Sequence, residues 1–351
     1  MADPAVQKFI LKALMSLPTP ILRAMSGGGT VYRGGRTLDP RFQFLAHAAA
    51  KLPSMTSLAP HEARAASAQG LTIMSGPPEP GVRTESLTID GDGGPIPLRA
   101  YRPADQDPGA PLIVFAHFGG GVIGDLETCH AFCGILARIA RTAVLSVDYR
   151  LAPDHRFPAG LDDVLAAYRW GRDNAARFGA LPGAAAIGGD SMGGNFSAIV
   201  AQEMKRAGEP QPALQLLIYP AVDVASETPS MTTYGDAYPL SRPIMDWFMG
   251  HYMGPDADPA DPRLSPNKTD DLSGLAPAVV ITAGFDPLVD QGEAYAKRLI
   301  AAGVPTTYRC YDSLAHGFTA FTGAVPAADA ACREIARLVA AGFEANSNTP
   351  S

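Results

Sequence analysis

The stretch AAAIGGDSMGGNFSAIVAQEMK, residues 184–205, runs from a short apolar segment through Gly-Asp-Ser-Met-Gly into a helical pattern. A serine with glycines two residues to either side, at the passage from a strand into a helix, marks a sharp turn that lifts one side chain clear of a sheet edge. The turn holds Ser191 in strained geometry, and Gly189 and Gly193 let neighbouring backbone pass where a Cβ would collide. A Gly/Ser-rich turn without chemistry would use the same letters, so the surroundings decide.

Outward from this turn, short apolar runs alternate with helical patterns. They are PLIVFAH (111–117), TAVLSVD (142–148), LQLLIYP (214–220), APAVVITA (276–283) and TTYRCYD (306–312). Ahead of them, ESLTID (85–90) and PIPLRAYRP (95–103), joined by the turn Gly91 to Gly94, read as a hairpin. This order predicts an α/β fold: a mostly parallel eight-stranded sheet with helices on both faces. Residues 1–82 show helical spacing broken by proline and glycine, and predict a helical segment. Residues 222–275 are about fifty residues where a simple crossover needs roughly a dozen, and read as an insertion. Within it SRPIMDWFMGHY (241–252) predicts a lid helix with Ser241 as N-cap and Ile244, Trp247, Phe248, His251 and Tyr252 at helical spacing. One catalytic domain over 83–345 would then carry a cap made of 1–82 and the insertion, and 346–351 would fray.

Serine is a weak nucleophile that needs a base, and the base needs an orienting acid. Asp286 follows the run 276–283 and His316 follows 306–312, so both stand with Ser191 at C-terminal strand ends, where open α/β sheets place their sites. Asp290 is a rival acid that fits better in the first turn of the next helix. The remaining histidines, His47, His61, His117, His130, His155 and His251, have no comparable placement. Acyl transfer also needs preorganised N–H donors for an oxyanion. AHFGGGVIGD (116–125) supplies Gly119 and Gly120, and Met192 adds the backbone N–H after the serine. The same loop contains GxGxxG at Gly119, Gly121 and Gly124, with Asp148 about where a ribose-binding acid would stand. Against a dinucleotide, that loop follows the third strand rather than opening the domain, and the Ser/Asp/His set would be left unexplained.

Composition narrows the classes. With 46% hydrophobic and only 18% charged residues over 351, a packed core is assured and disorder excluded as the main state. A formal charge of -7 argues against nucleic acid as a partner. The cysteines, Cys129, Cys133, Cys310 and Cys332, form no CxxC pair or zinc-like cluster, so no metal is expected, and Cys129 and Cys133 read as core. No apolar run approaches a bilayer span. Phe9, Ile10, Ala13, Leu14 and Leu17 share a helical face and read as an amphipathic helix laid on the protein, with a membrane surface as the alternative. No export signal is evident, which makes the cytoplasm the expected location.

Together, AHFGGGVIGDLET (116–128), DYRLAPDHRFP (148–158), GDSMGGN (189–195), DPRLSP (261–266), AGFDPLVDQGEAYAKRL (283–299) and AHGF (315–318) resemble the hormone-sensitive-lipase-like, or bacterial family IV, esterases of the alpha/beta-hydrolase superfamily. The resemblance covers about 85–345. It implies an alpha/beta-hydrolase fold with a helical cap from the N-terminal helices and the insertion. It implies Ser191, Asp286 and His316 as a catalytic triad. The implied activity is serine carboxylesterase action on small-molecule esters of short to medium acyl length, with no metal or organic cofactor and no stable membrane anchoring. It allows a homodimer. The family's HGGG plus aromatic becomes His117, Phe118, Gly119, Gly120 and Gly121 here, so Phe118 replaces the first glycine and Gly121 the aromatic. Phe118 would then wall the acyl or alcohol pocket, with Trp247, Phe248 and Phe318 as further pocket candidates. Tyr149 and Arg150 would brace site and cap. A non-catalytic receptor of the kind represented by the gibberellin receptors, which lack the histidine, and amide, lactone or carbamate cleavage with the same triad are the competing readings.

Overall fold

A computed structural model describes residues 3–347. Its main sheet has eight strands: β1 (Val82–Gly91), β2 (Gly94–Pro103), β3 (Leu112–Ala116), β4 (Val144–Val147), β5 (Ala185–Asp190), β6 (Gln215–Ile218), β7 (Ala278–Phe285) and β8 (Thr306–Ala315). They lie in the order β8-β7-β6-β5-β3-β4-β2-β1. β1 pairs antiparallel with β2 and β2 with β4; all other neighbours are parallel.

The helices are α1 (Pro4–Met15), α2 (Thr19–Met25), α3 (Pro40–Ala49), α4 (Pro60–Met74), α5 (His130–Ala140), α6 (Ala159–Asp173), α7 (Met192–Ala207), α8 (Pro229–Thr233), α9 (Arg242–Tyr252), α10 (Val289–Ala301) and α11 (Pro326–Ser347). β3 explains why the strands are continuously apolar. Ile113 and Phe115 enter one core with α5 and α11, while Leu112, Val114 and Ala116 enter the opposite core with α6 and α7. Period-two side chains buried on both faces leave no polar position to alternate.

Some details refine the sequence expectations and others depart from them. Residues 1–82 are not wholly helical, since Tyr32–Arg33 and Arg36–Thr37 form a two-residue antiparallel ladder too short to leave an apolar pattern. Ser241 occupies the N-cap of α9 but its side chain makes no capping hydrogen bond. α11 extends to Ser347, and residues 348–351 of the expected tail lie outside the described residues. α1 buries Met15, with Leu11 and Leu14 packed against the core, while Phe9 and Ile10 of the expected inner face point outward.

Candidate active site

β5 ends at Asp190 and α7 begins at Met192, which leaves Ser191 to make the whole turn at φ 55° and ψ -114°. That is left-handed backbone, costly for a residue with a Cβ. The surroundings impose it: a Cβ on Gly189 would lie 2.3 Å from the Gly193 carbonyl, and one on Gly193 would lie 2.0 Å from the Ala116 carbonyl oxygen. The Ser191 N–H donates to Ile218 at 2.8 Å, tying the turn to β6.

Two neighbouring strand ends bring the partners. His316 follows the last residue of β8 and its Nε2 lies 2.9 Å from Ser191 Oγ. Its Nδ1 lies 2.7 Å from Asp286 Oδ2, just beyond β7. A proton on Nδ1 directed at the carboxylate leaves Nε2 to accept from the hydroxyl, the tautomer that a base for Ser191 requires. The other Asp286 oxygen accepts from the Leu288 N–H at 2.8 Å, and the carboxylate is fully buried. Asp290 turns elsewhere and accepts from the Ser230 N–H at 2.7 Å. Of the two acids, only Asp286 reaches the imidazole.

After β3 the glycine loop folds back on itself, and the Gly119 carbonyl accepts from Val122 and Ile123. Among the described residues the N–H groups of Gly119 and Gly120 have no protein acceptor, and that of Met192 stands in the first turn of α7, where helices leave donors free. Behind this loop His117 is fully buried, and burial takes it down to about 4, so it is a neutral ring. Its Nδ1 lies 2.7 Å from the Phe118 carbonyl, and it stacks on Tyr149 with 4.2 Å between centroids. The Tyr149 hydroxyl donates to the His117 carbonyl at 2.8 Å. Arg150 holds Asp163 through Nε and Nη2 and reaches the Ala159 carbonyl.

Gly121, where the resemblance leads one to expect an aromatic, is explained by α9. A Cβ on Gly121 would lie 2.5 Å from the Tyr252 ring, and one on Gly120 would lie 2.3 Å from Phe248. The insertion delivers aromatic rings onto the loop from outside it. The loop leads to α5 only at His130, so GxGxxG here does not open a helix. Asp148 is half-buried, and burial followed by nearby Asp125 pushes its carboxyl up to about 6. Among the described residues no group of three or more His, Cys, Asp or Glu side chains could hold a metal.

One site residue was missed in the sequence. Asp190 is fully buried beside the nucleophile and accepts from Tyr219 Oη at 2.9 Å and Thr319 Oγ1 at 2.7 Å, with the Cys129 thiol at 3.5 Å. Burial raises its carboxyl. The Tyr219 ring lies 4.7 Å from the His316 ring, and Thr319 stands three residues after His316. Asp190 therefore anchors Tyr219, whose ring packs against the imidazole. Its place inside GDSMG, on a strand with no other charge, was the available signal.

Two cavities meet at Ser191, with Gly120, Leu240 and Phe248 common to both. The smaller, about 100 Å³, is lined by Met192, Met231, Met245 and Met249, with Asp223, Glu227, Arg242 and Asp246 also in its wall. The larger, about 210 Å³, includes His316 and is lined by Phe118, Ile123, Leu71, Met74, Tyr238 and Phe321. Two expected pocket residues are not in either wall. Phe318 is fully buried, edge-on to Tyr219 and Tyr311, and Trp247 packs against Phe248 and His251.

Comparison with known proteins bears on this geometry. A family profile described as alpha/beta hydrolase fold matches residues 113–320. The chain is 44% identical over 317 residues to the carboxylic ester hydrolase LipN of Mycobacterium tuberculosis, covering 88% of this chain and 84% of that protein. It is 36% identical over 286 residues to an ethyl acetate hydrolase of Pseudomonas putida, covering 80% and 90%. Among solved structures, an ester hydrolase from the metagenome of Lake Arreo superposes with a TM-score of 0.84 at 40% identity, over 88% of this chain and 99% of that one.

Proposed function

The chain belongs to the hormone-sensitive-lipase-like alpha/beta hydrolases and is a carboxylic ester hydrolase, and from that premise we propose that it works through Ser191, His316 and Asp286 on esters of short to medium acyl chains. The observation that carries this reading is the unbroken chain from Ser191 Oγ through the imidazole to the buried Asp286, at 2.9 and 2.7 Å.

In the first step His316 Nε2 takes the Ser191 proton as Oγ attacks the ester carbonyl carbon. The carbonyl oxygen becomes an oxyanion facing the N–H groups of Gly119, Gly120 and Met192, while Asp286 stabilises the imidazolium. Collapse of the tetrahedral adduct breaks the bond to the alcohol oxygen, and His316 delivers its proton there. Water, deprotonated by the same nitrogen, then attacks the acyl-enzyme, and Ser191 recovers its proton as the carboxylic acid departs.

His316 can protonate only an alcohol lying on its own side. The larger cavity, which contains His316, would therefore hold the alcohol, and the smaller methionine-lined one the acyl chain. The difference in size supports the short-to-medium acyl range. The helices of 1–82 and the insertion at 222–275 would act as the cap that closes both cavities over a small ester. A para-nitrophenyl ester series tests the reading: turnover should be highest for acetate to hexanoate and should vanish in Ser191→Ala. Faster cleavage of matched anilides or lactones than of esters would overturn it in favour of the amidase or lactonase alternative.

A further inference from the structure

Charge and apolar exposure are distributed unevenly along this chain. Residues 1–60 contain seven Lys or Arg against two Asp, a net +5 in a chain of -7, which leaves -12 on residues 61–351. The same segment holds seven of the nine exposed large hydrophobic side chains among the described residues, with Val6, Phe9, Ile10, Ile21, Met25 and Leu52 among them. Scattered exposed leucines need no explanation, but a concentration of this kind does.

α1 shows how the two properties combine. At 100° per residue, Phe9, Ala13, Val6 and Ile10 fall within one arc about 100° wide. Met15, on the opposite side of the helix, is buried, and Leu11 packs against the core beside it, so this arc is a second apolar face rather than the docked one. Phe9 is 74% and Ile10 51% exposed. Lys12 borders the arc on one side, is exposed and forms no ion pair among the described residues, whereas Arg33 and Arg36 are already paired with Asp236 and Asp312. An apolar arc edged by an unpaired lysine, on a net positive segment, is the pattern of a helix lying in the interface of an anionic membrane, its apolar side chains among the acyl chains and its ammonium group at the phosphates. A second copy of this chain would set one net positive segment against another, since a two-fold interface is self-complementary.

We propose that the outer face of α1, with Phe9, Ile10 and Lys12, is a reversible docking surface for an anionic lipid bilayer. The position of α1 gives the docking a use. It packs on α4, whose Leu71 and Met74 wall the larger cavity. An ester partitioned into the bilayer would thus meet an apolar compartment one helix away from the lipid. This use rests on the ester-hydrolase reading; the docking itself does not.

The test is flotation of the full chain with vesicles of phosphatidylcholine alone and of phosphatidylcholine with phosphatidylglycerol. Binding should require the anionic lipid and weaken with salt. Lys12→Gln should reduce partitioning about five-fold, and Phe9→Ser with Ile10→Ser should reduce it by at least about ten-fold. In all these variants hydrolysis of dissolved para-nitrophenyl acetate should be unchanged, because none of the three residues lines either cavity at Ser191. Loss of vesicle binding with activity intact supports the docking surface. Two results would overturn it: equal binding to both vesicles, or binding to neither, which together with a dimer that Phe9→Ser dissociates would give the face to a second copy. Absent ester turnover with anionic vesicle binding retained would refute the enzymatic reading and leave the docking standing.

Discussion

The floor and the roof of the site are built on different principles. The floor comes from the ends of β3, β5, β7 and β8, and its side chains are held by hydrogen bonds to specified partners: Ser191 to His316, His316 to Asp286, and Asp190 to Tyr219 and Thr319. The roof comes from α4, α9 and the segment before α9, and meets the floor through methionine, leucine and aromatic side chains. Hydrogen bonds fix atoms to within a few tenths of an ångström, which proton transfer needs; thioether and ring packing tolerates substitution and can admit varied acyl chains. Under the proposed function, chemistry falls to the floor and selectivity to the roof.

Substitutions can break or sharpen that division. The largest effect belongs to Ser191→Ala, which should lower kcat by at least about 10⁴-fold while leaving the melting temperature within a few degrees; turnover assays and calorimetry read the two outcomes. Next is Gly120→Ala. Gly120 has φ +62°, and the added Cβ would meet Phe248, so a kcat loss of about 10²-fold is expected from a displaced oxyanion donor. Here floor and roof touch, and the double variant with Phe248→Ala should recover part of that loss; strictly additive effects would mean that the ring does not position the loop.

Asp190→Asn should cost about ten-fold in kcat with little change in KM, because it loosens the support of His316 without touching either cavity wall. Equal losses in kcat and stability across all variants at 190 would instead mark a merely structural carboxylate. Phe248→Ala alone should have a smaller, selective effect. By joining the two cavities it should raise relative turnover of longer acyl chains a few-fold, as a ~100 Å³ limit is relieved.

The smallest effect is on stability against pH. His117 is held at about 4 in the fold, against an ordinary 6.5. Between those values the unfolded chain binds a proton that the folded chain does not, so this group removes stability as pH falls from 6.5 toward 4, about 3 kcal/mol in full. Asp148, raised from 3.8 to about 6, acts with the opposite sign: the folded chain binds its proton first, and stability is gained as pH falls through that window. Urea midpoints of the intact protein should therefore change little between pH 6.5 and 4.5 from these two groups. Asp148→Asn should expose the acid-side loss, and Asp148→Asn with His117→Asn should abolish it.

The same division governs what could be read in the sequence. The floor was legible because each part carries a local signature: a run buried on both faces for a strand, GDSMG for the turn, and Asp286 and His316 within four residues of the end of a strand-like run. Roof contacts depend on tertiary packing that no local period encodes. The helix over 242–252 was evident, but not that Phe248 would face Ser191 while Trp247 turned aside, since both satisfy the same spacing. Phe318 stands two residues from His316, yet the 3-10 turn that begins there sends it into the core. α1 is apolar on two sides, and its pattern could not say which would face the protein. Asp190 was hidden for a related reason: its partners Tyr219 and Thr319 are 29 and 129 residues away.

The central claim is that Ser191 carries the acyl group, and intact-mass spectrometry of the protein quenched during turnover of a para-nitrophenyl ester, followed by peptide mapping, measures it most directly. One acyl adduct per chain, on the peptide containing Ser191 and absent from Ser191→Ala, is the result the account requires. Steady ester turnover with the adduct on another residue, or undiminished turnover in Ser191→Ala, would contradict it.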